Sequence, residues 1–190
     1  MNPKFVFLGL FWNLDEESSI VQNDCVSSIL SHRVPRSLPE LASRLATLQY
    51  YQHFLPLMKR LAIPLYKIIK DGAFVWEKVH SEAYGNLLYL MGLQIRNYIY
   101  DPAKPLMLMA DTSALETSLV IFQWDAKTLN LRIMHTKSIL LSTSIRRQSP
   151  LDREAFGVSS LLNSATPYLF QSTAQANFLF SDASSISYTQ

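Results

Sequence analysis

The chain is poor in cysteine and glycine and has no long apolar run. Its one cysteine, Cys25, cannot form an internal disulfide framework or a multi-cysteine zinc site, and this points to a reducing, intracellular setting, cytoplasm or nucleus. The five glycines form no phosphate-binding loop, and beside nine prolines they do not describe a flexible linker. No apolar stretch is long enough to cross a bilayer, so no membrane association is expected. The segment from Phe5 to Trp12 is short, runs straight into Asn13, Asp15, Glu16 and Glu17, and lacks a small-residue cleavage site. It reads as a strand. His32, His53, His80 and His135 show no paired spacing of the kind that holds zinc.

At 48% hydrophobic and 17% charged, the 190 residues suit one ordinary globular domain or two small ones. The net charge of +2 conceals a local excess. Arg33, Arg36, Arg44, Lys59, Arg60, Lys67 and Lys70 face only Glu40 across that stretch, which suits a phosphate backbone. A solvated helical face is the competing explanation.

The residues from Lys4 to about Val21 read as a strand, a polar turn and a return strand. Ser37 and Glu40 form a capping-box pattern, followed by Leu41, Leu45 and Leu48 at helical spacing, and the helix is expected to run on to Pro56. A further helix over 57–69 carries Pro64 and should kink or break there. Helix is also predicted over 78–95. Asp101, Pro102 and Pro105 mark a rigid polar break and the expected domain boundary. Beyond it come strands at 106–110, 118–124 and 130–141. A helix opens at Ser149, Pro150 and Asp152, with Leu151, Ala155, Val158 and Leu162 as its buried stripe and an expected end at Thr166 and Pro167. A strand over 178–180 closes the series. This order implies a mixed sheet with a helix packed on it.

Two of these strands end alike, at Asp111 and at Asp182, each followed by small residues. Glu154 lies one turn into the intervening helix. Neighbouring strand ends would bring Asp111 and Asp182 together with Glu154 beside them, and such a cluster repels itself unless divalent cations intervene. Oxygen ligands suit magnesium, and two such ions can activate water and stabilise a leaving oxygen in phosphodiester hydrolysis. An aspartate in a turn and a surface glutamate are the commoner roles for such residues.

In order along nearly the whole chain, the residues resemble the polymerase polyprotein of gypsy-type long-terminal-repeat retrotransposons and related retroviruses. Phe5 to Gly9 resembles the strand that begins the primer-gripping hairpin. Pro35-Arg36-Ser37, Gln49 to Pro56, Pro64-Leu65 and Phe74-Val75-Trp76 resemble the segments that follow. Ala110-Asp111-Thr112-Ser113, with Gln123 in the next strand, is similar to the first ribonuclease H aspartate motif. Lys137 to Leu140, Ser149 to Ala155, Tyr168-Leu169 and Phe180-Ser181-Asp182 are similar to its later motifs.

The resemblance implies a mixed α+β chain in two parts. Residues 1–100 would be a primer-grip hairpin and helical thumb-like region, and 104–190 a truncated ribonuclease H-like mixed sheet with a packed helix. It implies nucleic acid as partner, either a template–primer duplex or an RNA–DNA hybrid, held by Arg44, Tyr50, Tyr51, Lys59, Arg60 and Lys67. It also implies Asp111, Glu154 and Asp182 as catalytic ligands of two magnesium ions. The chain departs from the pattern where glycines are usual, at Glu116 and Ser118, at Gln148 for a tyrosine, and at Ala183 for a histidine. The paired polymerase aspartates are absent, so no polymerase activity is expected. A nuclease fragment and a catalytically inactive, co-opted binding or scaffold protein are the two functional readings. The truncated C-terminal edge implies a protein partner that covers it and no stable monomer without one.

Overall fold

The computed structural model describes residues 3–126 and 129–181. The chain divides into two compact units, Met1–Asn97 and Tyr98–Gln190, each with its own buried core.

The first unit begins with an antiparallel meander of β1 (Lys4–Phe7), β2 (Leu10–Asn13) and β3 (Ser18–Val21). The β1–β2 turn is two residues long, Leu8 and Gly9, both with positive φ (52° and 72°). That is the backbone a tight hairpin needs to match strand twist, and glycine adopts it without strain. Gly9 is constrained a second time, because a Cβ there would lie 2.6 Å from the Tyr51 hydroxyl. The two-residue strand β4 (Asn97–Tyr98) completes the strand order of this sheet.

Five helices follow the meander: α1 (Asn23–Leu30), α2 (Leu38–Tyr50), α3 (Met58–Leu61), α4 (Ile63–Asp71) and α5 (Lys78–Gly92). The sequence pattern does not predict α1, which is only eight residues long. Ser37 caps α2 by accepting from the Glu40 amide, while the Glu40 carboxylate accepts from the Arg36 amide at 2.8 Å. Helix α2 ends at Tyr50 rather than continuing to Pro56, because the chain leaves the helix at Tyr51 and tightens into a 3-10 turn (Gln52–Phe54). The helix expected over 57–69 is two helices, broken at Ala62, with Pro64 in the first turn of α4, where its missing amide costs no hydrogen bond. Leu41, Leu45, Leu48, Leu65, Leu87 and Met91 fill the core between them.

The second unit, over its described residues, is a four-stranded sheet in the order β7-β6-β5-β8. Its strands are β5 (Leu106–Thr112), β6 (Glu116–Asp125), β7 (Asn130–Leu140) and β8 (Phe178–Phe180). Strands β5, β6 and β7 are antiparallel neighbours, whereas β8 returns to pair with β5 in parallel. The crossover contains α6 (Thr143–Arg146) and α7 (Pro150–Leu169). The mixed sheet and its order of elements agree with the sequence expectation. Gln123, 2% exposed, fastens the turn before β5: its side-chain amide donates to the Asp101 and Lys104 carbonyls at 2.8 and 2.9 Å and accepts from the Asp101 amide at 3.0 Å.

Helix α7 starts as expected, with Ser149 accepting from the Asp152 amide and donating to its carboxylate at 2.7 Å. It differs in two respects. It runs through Pro167 to Leu169, and its buried face is Gly157, Val158, Leu161 and Ala165, while Leu151 and Leu162 are exposed. The face is rotated because the helix seats a glycine, not a leucine, against the sheet. A Cβ on Gly157 would overlap the Thr112 hydroxyl and lie 2.7 Å from that of Thr117, two threonines that contact each other across β5 and β6.

This close approach predicts the outcome of two helix-glycine substitutions. Gly157→Ala should destabilise the chain by about 1–3 kcal/mol through overpacking, whereas Gly85→Ala on α5, with open space around it, should be neutral or stabilising by up to ~1 kcal/mol. Chemical denaturation of both variants measures the difference.

Candidate nucleic-acid and metal site

Strand alternation determines where the candidate carboxylates emerge. Leu106, Leu108 and Ala110 point into the core beneath Leu161 and Ala165 of α7, so Asp111 projects from the opposite face of β5 and is exposed. Its neighbour Thr112 returns to the helix side, under Gly157. Glu154 lies three residues before Gly157, one turn back on the same side of α7, and is half-buried. The helix thus carries Glu154 to within one turn of the point where it meets the residue after Asp111.

Asp182 lies outside the described residues. The strand leading to it is described, with Met107, Leu108 and Met109 pairing in parallel with Phe178, Leu179 and Phe180. Asp111 follows Met109 by two positions and Asp182 follows Phe180 by two. Among the described residues, no group of three or more histidine, cysteine, aspartate or glutamate side chains is arranged to hold a metal.

A further carboxylate shares the Asp111 face. Ser118 is the register partner of Asp111, and its hydroxyl donates to Glu116 Oε1 at 3.2 Å. Glu116 is 1% exposed. In the sequence, Glu116 stands out only as a departure from an expected glycine. Strand alternation from Ser118 is the signal that places it beside Asp111.

The residues expected to hold nucleic acid separate in the first unit. Arg60 and Lys67 are exposed on α3 and α4, and Lys59 is half-buried. Arg44 is drawn inward by an ion pair with Glu40, a hydrogen bond to the Tyr84 hydroxyl at 3.2 Å and a cation–π contact with the Tyr84 ring. The Arg36 amide, followed by the Arg44 guanidinium, holds the Glu40 carboxyl below its ordinary range. Tyr50 is 56% exposed, yet its hydroxyl donates to the Leu8 carbonyl at 2.9 Å. Tyr51, expected from the resemblance to hold nucleic acid, lies inside the unit. It is buried at 7% exposure, edge-on to Tyr50, with its hydroxyl against Gly9 and Cys25, so its ring is closed to stacking bases. The tyrosine pair therefore anchors the hairpin turn to the end of α2.

No protein family and no curated protein matches the chain by sequence. Solved structures do. A foamy viral protease-reverse transcriptase dRH in complex with double-stranded DNA superposes with a TM-score of 0.77 at 16% identity, over 94% of this chain and 31% of that one. The chain shares its fold with part of that structure. The foamy viral protease-reverse transcriptase in complex with an RNA/DNA hybrid matches 92% of this chain and 23% of its own at TM-score 0.77 and 16% identity. Its double-stranded DNA complex matches 93% and 36% at 0.78 and 16%. The chain therefore spans about a quarter to a third of the length of these relatives. The mixed α+β architecture, with its ribonuclease H-like sheet, is the fold they share. Among the described residues, no helix is long and apolar enough to cross a membrane.

Burial, reinforced by the Cys25 thiol, pushes the Tyr51 phenol up to about 12. A group whose native value is raised contributes stability that is complete below its unfolded value and is lost as pH rises towards the native one. Stability should therefore fall between about pH 10 and pH 12 by roughly 3 kcal/mol, and Tyr51→Phe should lack that dependence. Ultraviolet titration of the phenols, with denaturation at each pH, checks both statements.

Proposed function

We propose that the chain is a segment of a retroelement reverse transcriptase, of the gypsy-type or a related retroviral lineage, that grips nucleic acid and hydrolyses RNA paired with DNA. The observation that carries this reading is the parallel pairing of β5 with β8. It gives Asp111 and Asp182 the same offset beyond paired residues, on a sheet whose packed helix carries Glu154. The foamy viral relatives that share the fold were solved on duplex DNA and on an RNA/DNA hybrid, and these are the ligand classes proposed here.

In the helical unit, the exposed Arg33, Arg36, Arg60, Lys67 and Lys70 would meet phosphates. Such groups position a duplex without reading its sequence. In the sheet unit, Asp111 is exposed and Glu154 is carried by α7, and together with Asp182 they would supply an all-oxygen donor set of the kind that suits magnesium. Magnesium, when bound, supplies an activated water and neutralises charge on the phosphodiester. Asp111 and Glu154 would hold and orient it. The histidine that follows the aspartate in the resembled motif is Ala183 in this sequence.

A second reading, a co-opted binding module that no longer cuts, is favoured by one observation: a buried carboxylate, Glu116, occupies the Asp111 face. A single assay separates the two. A labelled RNA–DNA hybrid is incubated with the chain and magnesium while binding is followed by anisotropy. The nuclease reading predicts cleavage that is abolished in Asp111→Asn and in Glu154→Gln, with binding retained. Binding without cleavage by well-folded protein establishes the module, and absence of binding overturns both. Arg60→Ala combined with Lys67→Ala should make the dependence of log affinity on log salt shallower, by about 1 for each side chain that no longer neutralises a phosphate.

A further inference from the structure

We propose that the outer edge of β1 pairs with β1 of a second copy of this chain, in antiparallel register about Val6. Strand β1 stands at the end of the strand order in its sheet, so among the described residues its outer side has no strand beside it. All four of its residues are exposed. Phe5, Val6 and Phe7 are 43%, 50% and 59% open, and Leu8 in the turn is 64% open. An apolar edge of this kind, with backbone groups left over, is a template for another strand. Lys4 is the one charged residue of β1, which favours a protein strand over a phosphate backbone as its partner.

The hairpin register determines which backbone groups are open. Phe7 and Leu10 close the two-residue turn, which makes them a hydrogen-bonded pair, and Phe5 with Trp12 is the next such pair along the ladder. Val6 lies between them, so its N–H and carbonyl point away from β2. Two copies that meet at Val6 exchange both bonds across a two-fold axis. The residues on either side make that meeting self-complementary, because Phe5-Val6-Phe7 reads alike in both directions. Phe5 of each copy falls opposite Phe7 of the other, on the face where Phe5 already stacks on Trp12 with ring centroids 6.4 Å apart. On the other face Val6 meets its own counterpart, which joins the rows of Val6, Phe11 and Ile20 of the two copies. Lys4 falls opposite Leu8, so no like charges are opposed. The hydroxyls of Tyr50 and Tyr51 already brace the turn at Leu8 and Gly9, which leaves little of the edge to be ordered on association. With aromatic side chains of roughly 150–250 Å² each, residues 5–8 leave on the order of 400 Å² open per copy. Pairing two such edges falls at the low end of specific interfaces, below about 1,200 Å² in total, as a reversible dimer does. The dimer needs no residue of the proposed nuclease centre.

Sedimentation equilibrium of the full 190-residue chain tests the pairing, with circular dichroism to confirm that each variant folds. Wild type should show a monomer–dimer equilibrium with a dissociation constant on the order of micromolar. Val6→Lys and Val6→Glu each set like charges against one another at the two-fold axis, and each should weaken the dimer by about tenfold or more. Mixed in equal amounts, the two variants should dimerise again, because opposite charges then meet at that point. Should a charged variant not fold, Val6→Pro, which removes only an outward-facing N–H, takes its place and should be monomeric. A wild type that stays monomeric well above that constant overturns the proposal. So does a dimer that survives these substitutions, or a mixture of the charged variants that fails to pair. A monomeric wild type whose affinity for an RNA–DNA hybrid falls in Val6→Glu assigns the edge to nucleic acid instead, and overturns the dimer while leaving the nucleic-acid reading standing.

Discussion

Helix α7 reaches the sheet because residue 157 has no side chain. The backbone at Gly157 lies against the hydroxyls of Thr112 and Thr117, which join the ends of β5 and β6, and any larger residue would lift the helix away. Three features of the second unit depend on that closeness. The buried stripe of α7 is set by it, with Val158, Leu161 and Ala165 following Gly157 into the core. The crossover that returns the chain to β5 passes through it, so the parallel pairing of β8 relies on a helix seated at the right height. Glu154 is carried in the same turn, next to the strand that presents Asp111. A restraint that is chiefly steric thus sets the spacing of groups whose chemistry is electrostatic.

The first unit shows how aromatic residues can be diverted from recognition to construction. Tyr50 and Tyr51 are expected from the resemblance to hold nucleic acid. In three dimensions, one hydroxyl ties down the Leu8 carbonyl and the other closes over Gly9. The hairpin turn carries positive φ at both residues, and the tyrosines brace that conformation from the end of α2. The apolar strand β1, with Phe5, Val6 and Phe7 exposed, is thereby presented by a supported turn. Arg44 is likewise used internally, which leaves the exposed Arg33, Arg36, Arg60, Lys67 and Lys70 as positive groups of that unit.

Much of this is legible in the sequence because it rests on local rules. The Ser37 and Ser149 caps, the break near Pro64 and the strand-strand-strand-helix-strand order all follow from residue chemistry within a few positions. What is not legible depends on partners distant in sequence. The end of α2 falls earlier than its pattern suggests because the chain tightens into a 3-10 turn over Gln52–Phe54 that the residue pattern does not signal. The face of α7 is hidden because leucines at helical spacing outweigh a glycine whose role appears only with Thr112 and Thr117 above it. Pro167 does not end α7, since the helix continues two residues beyond it. The three carboxylates of the resemblance, Asp111, Glu154 and Asp182, can be matched by motif, whereas Glu116 is placed on the Asp111 face only through the register of Asp111 with Ser118.

The proposed centre depends on β8 returning beside β5 in parallel, because that pairing makes neighbours of the strands that lead to the two aspartate motifs. Nuclear magnetic resonance on the isotopically labelled chain tests it directly. Cross-strand nuclear Overhauser effects are predicted between the backbone protons of Leu108 and Leu179, and between the Met109 and Phe180 pair, in the parallel pattern. An arrangement with β8 antiparallel, paired with β7, or apart from β5 would contradict it.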